Sequence, residues 1–414
     1  MATPIALKPQ KQGTFLSRHP WVMARSLIHP GGGNGTVEVE DGGEVDLVLP
    51  NGRWIARGLY NSRSHIRVRL YSWTLGESID ADFWRRGLET SIQLRRDLSY
   101  DDPLGATRLV FSEADGLSGL IVDRYASHLV VQVTARVVEL HRNAWLPALI
   151  ELTRPTGVVL RTDAKIAQAE GMDPFDGLVW GEAPPNPLWI EEHGTRFRVD
   201  LLGGQKTGGY LDQRENHRVA ASYAKGRSVL DVCCYAGGFG LAAAKLGGAA
   251  NVLAIDSSQR AIDESQANAA ANGITNVEFQ IGDCFDTLAS LRDSGRRFGM
   301  VVLDPPRFAS SKHGIEQALR AYHRLNRLGV ELLEPNGILV TCSCSGRVTR
   351  DDFLRMLGGV AQKCDRDIQV LEQRGAAPDH PVRLSCPETE YLKCMICRVP
   401  GGARTARKPE TGVS

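Results

Sequence analysis

The feature that most constrains this 414-residue chain is a regular alternation of apolar runs and helix-like segments from about Val229 onward. The predicted strands are SVLDVCC, NVLAID, NVEFQIGD, MVVLD and GILVT, and a helical pattern follows each of them. Strands that alternate with helices predict a parallel sheet that is covered by helices on both faces. Because ligands bind beyond the carboxyl ends of strands in such sheets, we expect a ligand cleft where these strands end.

A glycine-rich turn and a series of polar residues occupy those strand ends. The turn after the first strand is YAGGFG, and the residues at the next four strand ends are Asp256, Asp283, Asp304 and Cys344. Glycines 237 and 238 allow a close approach of the backbone to a ligand, and they open a helix whose N-terminus is electropositive. Asp256 is placed to bind ribose hydroxyls, whereas Asp283 is placed either to contact an adenine amine or to cap a helix. These features fit a nicotinamide cofactor and S-adenosylmethionine equally well.

The motif Asp304-Pro305-Pro306-Arg307-Phe308 distinguishes between those two cofactors. Its consecutive prolines predict a rigid, extended turn that directs the aspartate toward the cleft. A dehydrogenase has no need of such a motif at its fourth strand. The motif resembles the nucleobase-side motif of class I S-adenosylmethionine-dependent methyltransferases, so a methyltransferase is favoured over an oxidoreductase.

The chain before this alternation divides into two segments. Residues 1–75 read as short strands with Gly-rich turns, and they carry nine Lys and Arg against five Asp and Glu. In the stretch SHIRVRLYSW, Arg67 and Arg69 alternate with apolar residues, so this basic face is either a solvated strand surface or an RNA contact. Residues 76–190 predict a mixed α+β domain that ends at the Pro-rich linker GEAPPNPLW. Residues 191–400 then form the predicted catalytic domain, with IEEHGTRFRVDLL as an initial hairpin, and residues 401–414 a disordered tail.

Composition limits the location and the redox state of the protein. No apolar run approaches the ~20 residues that a membrane span needs, and the N-terminus lacks the apolar stretch of a signal peptide. We therefore expect a cytoplasmic protein with no membrane partner. The nine cysteines predict reduced thiols in that compartment. With a net charge of +1, a polyanionic partner has to be held by local patches.

The sequence TCSCSG places two cysteines at the end of the last predicted parallel strand. Cys342 and Cys344 lie on the same side of an extended chain, but Cys344 lies ~7 Å further along, beyond the sheet edge. We therefore expect Cys342 to pack in the core beneath Cys344. A lone C-x-x-C, formed by Cys394 and Cys397, falls in a predicted buried strand, and with no second pair no metal site is expected.

Six longer motifs are spread in order along nearly the whole chain. These motifs are RHPW (18–21), EHG (192–194), KTGGYLDQR (206–214), LDPPRF (303–308), SCSG (343–346) and DHP (379–381). Together they resemble the large-subunit ribosomal RNA methyltransferase I family, which makes 5-methylcytosine in 23S rRNA. The resemblance implies a small β-barrel PUA domain for RNA binding, a central domain and a C-terminal class I methyltransferase domain with a Rossmann-like, mostly parallel sheet.

The resemblance also implies specific sites. The expected S-adenosylmethionine pocket comprises Tyr210, Gln213, Tyr235, Gly237, Gly238, Phe239, Asp256, Asp283, Asp304 and Pro305. Contacts to large-subunit rRNA are expected from Pro306, Arg307, Phe308, Arg67 and Arg69. In the KTGGYLDQR segment, Gly209 stands where an aromatic residue is expected. No metal is expected, and the oligomeric state is left open, a homodimer included.

The expected chemistry is covalent catalysis, with Cys344 in register with the cysteine of the family. A thiolate that adds to carbon 6 of cytosine turns carbon 5 into a nucleophile for the methyl group, while Asp304 binds the polar edge of the base. Arg307 occupies the position of a second cysteine found in many RNA cytosine methyltransferases, so release of the enzyme has to use another group. Methylation of an exocyclic base amine and a non-catalytic RNA-binding assembly factor remain alternatives.

Overall fold

The computed structural model describes residues 2–28, 39–203, 207–308 and 314–401. The predicted disordered tail after Gly401, the Gly-rich turn HPGGGNG and Lys206 of the KTGGYLDQR segment lie outside these residues. The chain forms two compact units. Unit 1 comprises Met1–Glu191, Val199–Leu211 and Pro378–Glu390, and unit 2 comprises Glu192–Arg198, Asp212–Ala377 and Tyr391–Ser414.

The first part of unit 1 is a five-stranded sheet with the order β1-β3-β4-β5-β2. Its elements are β1 (Thr3–Ala6), α1 (Gln12–Leu16), β2 (Trp21–Met23), β3 (Glu44–Val48), β4 (Trp54–Tyr60) and β5 (Ile66–Ser72). Strands β1 and β3 are parallel and the other pairs are antiparallel. Ile5, Leu47 and Val68 belong to its buried apolar core. The short strands expected in residues 1–75 are therefore confirmed.

The second part of unit 1 contains a sheet with the order β10-β9-β8-β7-β6. Its elements are α2 (Ala81–Asp97), β6 (Ala106–Phe111), β7 (Leu120–Tyr125), β8 (His128–Val133), α3 (Arg136–Leu140), α4 (Arg142–Thr153), β9 (Gly157–Arg161), α5 (Ala164–Glu170) and β10 (Asp176–Gly181). Helix α2 begins at a good N-cap, because the Asp80 carboxylate accepts a hydrogen bond from the Phe83 amide. The chain then forms a hairpin of β11 (Leu188–Glu192) and β12 (Thr195–Val199), as its sequence predicts.

Unit 2 is built on a seven-stranded sheet with the order β15-β14-β13-β16-β17-β19-β18. Its elements are α6 (Arg214–Ala221), β13 (Ser228–Val232), α7 (Gly238–Lys245), β14 (Asn251–Asp256), α8 (Gln259–Ala271), β15 (Val277–Ile281), α9 (Cys284–Asp293), β16 (Phe298–Leu303), α10 (Ile315–Glu331), β17 (Leu333–Ser343), α11 (Arg350–Cys364), β18 (Gln369–Arg374) and β19 (Lys393–Val399). Strands β13 to β17 run parallel, which confirms the predicted alternation. Strand β19 is antiparallel to both of its neighbours, so the sheet is mixed at this edge.

The strands in the middle of this sheet are apolar on both faces. Val301 and Leu303 of β16 belong to a core cluster that also contains residues of α10 and α11. Met300 and Val302 belong to a second cluster, together with residues of α6 and α7. Because successive side chains of a strand point to opposite faces, this continuous apolar run places helices on both sides. Among the described residues, no helix has the length and apolar character required to cross a membrane.

Candidate active site

The register of the parallel strands brings the predicted strand-end residues of unit 2 to one edge of the sheet. Leu303 is paired with Val232 on one side and with Thr341 on the other. Asp304 therefore follows its strand between the ends of β13 and β17, at the ~4.8 Å spacing of neighbouring strands. Val232 is also paired with Ile255, so Asp256 lies at the same edge.

The glycine turn after β13 is held by hydrogen bonds to β14 and α8. The Tyr235 amide donates to Asp256 Oδ2 at the end of β14 (3.0 Å), and Asn268 Nδ2 of α8 donates to the Ala236 carbonyl (3.0 Å). Gly237 has a φ of 87°, a conformation that favours glycine, and it precedes α7 with no side-chain cap. The first amides of α7 thus point to the strand-end edge, where a ligand can accept their hydrogen bonds.

A histidine next to this turn was not singled out by sequence reasoning. His217 of α6 donates from Nδ1 to Glu192 Oε1 (2.7 Å), and its ring lies 4.6 Å from that of Phe239. A Cβ atom at Gly238 would lie 2.4 Å from His217 Cε1, so only glycine fits at that position without a rearrangement. Burial alone would lower the pKa of His217, but the charge of Glu192 and the hydrogen bond to it, with smaller contributions from Asp304 and other acids, raise it.

Asp231 is a second buried group that the sequence did not reveal, because it lies inside an apolar strand. Its Oδ2 accepts a hydrogen bond from the Gly240 amide at the start of α7 (2.8 Å). Its Oδ1 has no hydrogen-bond partner among the described residues. Burial, with the charges of Asp304 and Asp256, raises the pKa of Asp231 to about 7, although the Gly240 amide and His217 act in the opposite direction.

Asp304 is held by a chain of amide side chains from α6 and the turn before it. Gln213 Nε2 donates to Asp304 Oδ2 (3.0 Å), and Asn216 Nδ2 donates to Gln213 Oε1 (2.6 Å). Asn216 Oδ1 in turn accepts a hydrogen bond from Arg374 Nε (2.9 Å). Gln213 was expected to contact the cofactor, and the structure places its amide on the aspartate of the D-P-P motif.

Cys344 lies beside this same motif, just beyond the end of β17. Its Sγ is 4.0 Å from the carbonyl oxygen of Pro305, and its side chain is partly buried. The next residue is fixed from two sides, because the Ser345 hydroxyl shares a hydrogen bond with Tyr322 (3.1 Å) and its carbonyl accepts one from the buried Lys393 (2.7 Å). The turn that carries Cys344 is therefore well defined.

Cys342 has a different environment from Cys344. It is fully buried and is paired across the strands with Cys394 of β19. Burial, together with its contact to Cys394, raises the pKa of the Cys342 thiol. The expectation that Cys342 packs in the core is confirmed, and the burial of Cys394 and Cys397 in β19 agrees with the predicted strand.

The end of β15 brings a further pair of thiols to this edge. The Cys233 and Cys284 thiols form a hydrogen bond, which lowers the pKa of Cys284 and raises that of Cys233. No local pattern in the sequence marks this contact, because it joins two strand ends that are distant in sequence. Asp283 caps α9, where its Oδ1 accepts hydrogen bonds from the Phe285 and Asp286 amides (2.8 and 3.1 Å).

The last residues of the LDPPRF motif differ in exposure. Pro306 and Arg307 are exposed, whereas Phe308 is partly buried. The Phe308 ring lies 4.8 Å from the ring of Tyr322 and 6.4 Å from that of Phe285. These contacts give Phe308 a role in holding the motif against α10 and α9.

Two of the expected contact groups lie in unit 1. Gly209, where an aromatic residue was expected, donates its amide to the hydroxyl of Tyr125 (3.0 Å), so an aromatic ring from β7 adjoins this segment. Tyr210 follows it and is partly buried. The Thr207 hydroxyl also shares a hydrogen bond with the Tyr125 hydroxyl (2.9 Å), so Tyr125 holds this segment at two residues.

The prediction that Arg69 lies on an exposed basic face is wrong. Its side chain is 7% exposed and forms ion pairs with Glu113 and Glu170, both at 3.2 Å. The reason is a tertiary one, because the second part of unit 1 covers this face of β5. Arg67 is partly buried and donates to the Asn61 carbonyl (3.1 Å).

One group of side chains in unit 1 has the composition of a metal site. Ligand atoms of His19, Cys386 and Glu388 all lie within 4.8 Å of one another. His19 Nε2 and Cys386 Sγ are each in hydrogen-bond contact with Glu388 Oε2 (3.3 and 3.5 Å). These mutual contacts account for the cluster, and the absence of a metal stays a prediction.

The edge of the unit 2 sheet fits the cofactor that the sequence predicts. Asp256 lies where a carboxylate can accept hydrogen bonds from ribose hydroxyls, and Asp283 Oδ2 is not used in capping α9. The amides at the start of α7 that precede the Gly240 amide, which Asp231 already binds, supply donors between them. S-adenosylmethionine carries a ribose, an adenine amine and a carboxylate, so the donors and acceptors of this edge match its polar groups.

Comparisons with known proteins agree with this cofactor. A family model described as S-adenosylmethionine-dependent methyltransferase matches residues 167–382, and one described as a PUA-like domain matches residues 5–73. The ribosomal RNA large subunit methyltransferase I of Shewanella denitrificans is 39% identical over 401 residues, which cover 96% of this chain and 100% of that protein. The protein of the same name from Erwinia tasmaniensis is 37% identical, with the same coverage of both chains.

Two solved structures have the same fold over 96% of the chain. The structure of SMU.776 complexed with SAH has a TM-score of 0.81 at 20% identity, and the match covers 96% of this chain and 100% of that one. A methyltransferase from Streptococcus mutans has a TM-score of 0.80 at 19% identity, with the same coverage. The chain therefore belongs to the ribosomal RNA large subunit methyltransferase I family, and its cofactor is S-adenosylmethionine.

Proposed function

We propose that this chain methylates carbon 5 of a cytosine in 23S ribosomal RNA, with Cys344 as the covalent nucleophile and Asp304 as the residue that binds the base. The rRNA substrate is supported by the names of relatives that align over nearly the whole chain. The observation that carries the nucleophile is the position of Cys344 Sγ, 4.0 Å from the Pro305 carbonyl. A base that contacts the D-P-P motif would therefore lie beside this thiol.

The reaction balances with the groups that the chain provides. The Cys344 thiolate adds to carbon 6 of the cytosine, and the electron pair of the 5,6 double bond makes carbon 5 nucleophilic. S-adenosylmethionine supplies the methyl group when bound. A base then removes the carbon 5 proton, the double bond re-forms and the carbon–sulfur bond breaks to release the thiolate.

Asp304 and Gln213 prepare the base for this addition. The carboxyl group of Asp304 forms a hydrogen bond with the polar edge of the cytosine. This hydrogen bond helps the ring to accept electrons from the thiolate. Gln213, at 3.0 Å from Asp304 Oδ2, keeps the carboxyl group oriented. The target nucleotide has to leave its stack to reach this edge.

The other cysteine of the TCSCSG sequence supplies the matched control. Cys342 is fully buried, so its thiol is out of reach of a base, and it lies only two residues from Cys344. In cells that lack the gene, we expect bisulfite sequencing of 23S rRNA to reveal one lost 5-methylcytosine. Cys342→Ala should restore it and Cys344→Ala should not. A normal methylation map in the deletion strain would disprove the function, and full rescue by Cys344→Ala would disprove the mechanism.

A trapping experiment tests the covalent step directly. An rRNA fragment with 5-fluorocytosine at the target cannot lose a proton from carbon 5, so the adduct should persist on the wild-type protein and on Cys342→Ala. Cys344→Ala should give no adduct. Mass spectrometry of the product nucleosides separates 5-methylcytidine from an amine-methylated base, and the latter product would favour the exocyclic-amine alternative. An rRNA substrate would also agree with the predicted cytoplasmic location.

A further inference from the structure

A groove between α10 and α11 lies next to the Cys344 turn and has no role in the chemistry above. Its volume is about 440 Å³, and it is lined by Leu319, Arg320, His323, Asp352, Arg355 and Met356. This volume falls within the ~300–1,000 Å³ of typical ligand sites. Leu319 and Met356 give it an apolar floor, and the two arginines stand at its rim.

The position of the groove follows from the order of strands and helices. Helix α10 follows β16 and the D-P-P motif, and α11 follows β17 and Cys344, so both helices begin at the ligand edge of the sheet. Tyr322 of α10 contacts Ser345 with its hydroxyl and Phe308 with its ring. His323, the next residue along α10, lines the groove. The groove therefore lies on a different side of α10 from the contacts that Tyr322 makes with the Cys344 turn.

The charges at this edge favour an anionic partner. Exposed arginines are Arg307, Arg320, Arg324, Arg347 and Arg355, whereas the nearby acids are Glu316, Asp351 and Asp352. Asp352 is already engaged, since its Oδ2 accepts hydrogen bonds from the amide and the hydroxyl of Thr349. Arg324 is held toward the cofactor side, with its guanidinium 4.6 Å from the centre of the Phe285 ring.

The two rim arginines are only loosely held. Arg320 lies 3.5 Å from Glu316 and is 72% exposed, and Arg355 lies 3.9 Å from Asp352 and is 79% exposed. Ion pairs this exposed contribute little to the stability of the fold, typically ~0–1 kcal/mol. Each arginine can therefore exchange its carboxylate partner for a phosphate at little cost. Arginine binds phosphate oxygens through two N–H groups at once, which makes it well suited to that exchange.

We propose that this groove binds a nucleotide of the rRNA strand that flanks the target cytosine, with the base on Leu319 and Met356 and a phosphate on Arg320 and Arg355. The inference rests on the proposed function and adds a binding site to it. Bases that proteins recognise in RNA lie mostly in single-stranded loops and bulges, where the flanking nucleotides are accessible as well. Positively charged grooves bind such segments through contacts to their phosphates.

A double variant and a matched control on the same domain test this site. Arg320→Gln/Arg355→Gln removes both rim charges and keeps side-chain length. Arg296→Gln/Arg297→Gln removes two exposed charges just before β16, at the opposite edge of the sheet. Binding of a 23S rRNA fragment is measured over a range of salt concentrations, and S-adenosylmethionine binding is measured by calorimetry.

The salt dependence gives the expected result. Each lost phosphate contact lowers the slope of log K against log salt by about 0.7 for single-stranded RNA. We expect the groove variant, which loses one phosphate contact, to lose about 0.7 from the slope and roughly tenfold in RNA affinity, with cofactor affinity unchanged and the control variant equal to wild type. A slope equal to that of the wild type would overturn the inference. Because the slope measures binding alone, it decides this point whichever base is methylated.

Discussion

The buried carboxyl group of Asp231 predicts a specific dependence of stability on pH. Its pKa is raised from 3.8 to about 7 in the folded chain, mainly by burial. The folded state thus keeps a proton that the unfolded state loses near pH 4. The contribution of Asp231 to the stability of the folded chain should therefore fall as the pH rises from about 4 to about 7, and then level off.

The substitution Asp231→Asn removes this dependence while it keeps an acceptor for the Gly240 amide. Each pH unit between the two pKa values costs the wild type ~1.4 kcal/mol of unfolding free energy. From pH 5 to pH 8, we expect the free energy of unfolding of the variant to gain about 2 to 3 kcal/mol relative to wild type. A constant offset between the two proteins arises from the substitution itself and does not affect this difference.

The assay has to report on unit 2, since all seven tryptophans of the chain precede Glu192 and fluorescence would follow unit 1. Hydrogen exchange of β13 and β16 amides, corrected for the intrinsic effect of pH, measures the opening of the unit 2 core. Glu215→Gln is a suitable control. Contacts with His193 and Arg218 lower the pKa of Glu215 to about 2, so its stabilising effect is lost only as the pH falls below the usual value of 4.5. A difference between Asp231→Asn and wild type that stays constant from pH 5 to pH 8 would refute the reasoning.

The packing around the glycine turn and Asp304 gives two further predictions. Gly238→Ala should weaken S-adenosylmethionine binding at least tenfold, because the new Cβ would lie 2.4 Å from His217. Gly358→Ala in α11 is the control: its new Cβ would have no neighbour within 4 Å, so this variant should bind the cofactor normally and gain ~1 kcal/mol in stability. Equal cofactor binding by both variants would contradict the clash. Gln213→Ala should lower kcat by roughly 10- to 100-fold through loss of its hydrogen bond to Asp304, with the cofactor Kd nearly unchanged. A weaker cofactor Kd with normal kcat would instead assign Gln213 to the cofactor pocket.

Local patterns in the sequence were sufficient for the parallel part of the unit 2 sheet, although not for its antiparallel edge. The alternation of short apolar strands with helices depends on side-chain periodicity, which each segment carries within itself. The strand-end rule then placed Asp256, Asp304 and Cys344 at one edge of the sheet, because parallel strands share the direction in which they end. The two-residue spacing of Cys342 and Cys344 likewise predicted which thiol is buried.

Other features depend on contacts between residues far apart in the chain. His217 and Asp231 approach the glycine turn only after α6 and β13 pack against α7, so no local pattern marks them. The same cause explains the hydrogen bond between Cys233 and Cys284, which joins the ends of two strands. It also explains the error at Arg69, whose alternation in β5 indicated a strand face but not what covers that face.

The sequence by itself thus determined the order of strands and helices, the edge of the sheet that carries the site and the cysteine that extends beyond it. Only the tertiary structure decided which groups surround that site, how their charges shift the pKa of Asp231, and where a groove lies between α10 and α11. Periodicity and chain direction are local properties of a sequence. Burial and electrostatic interaction are set by neighbours that only the folded chain brings together.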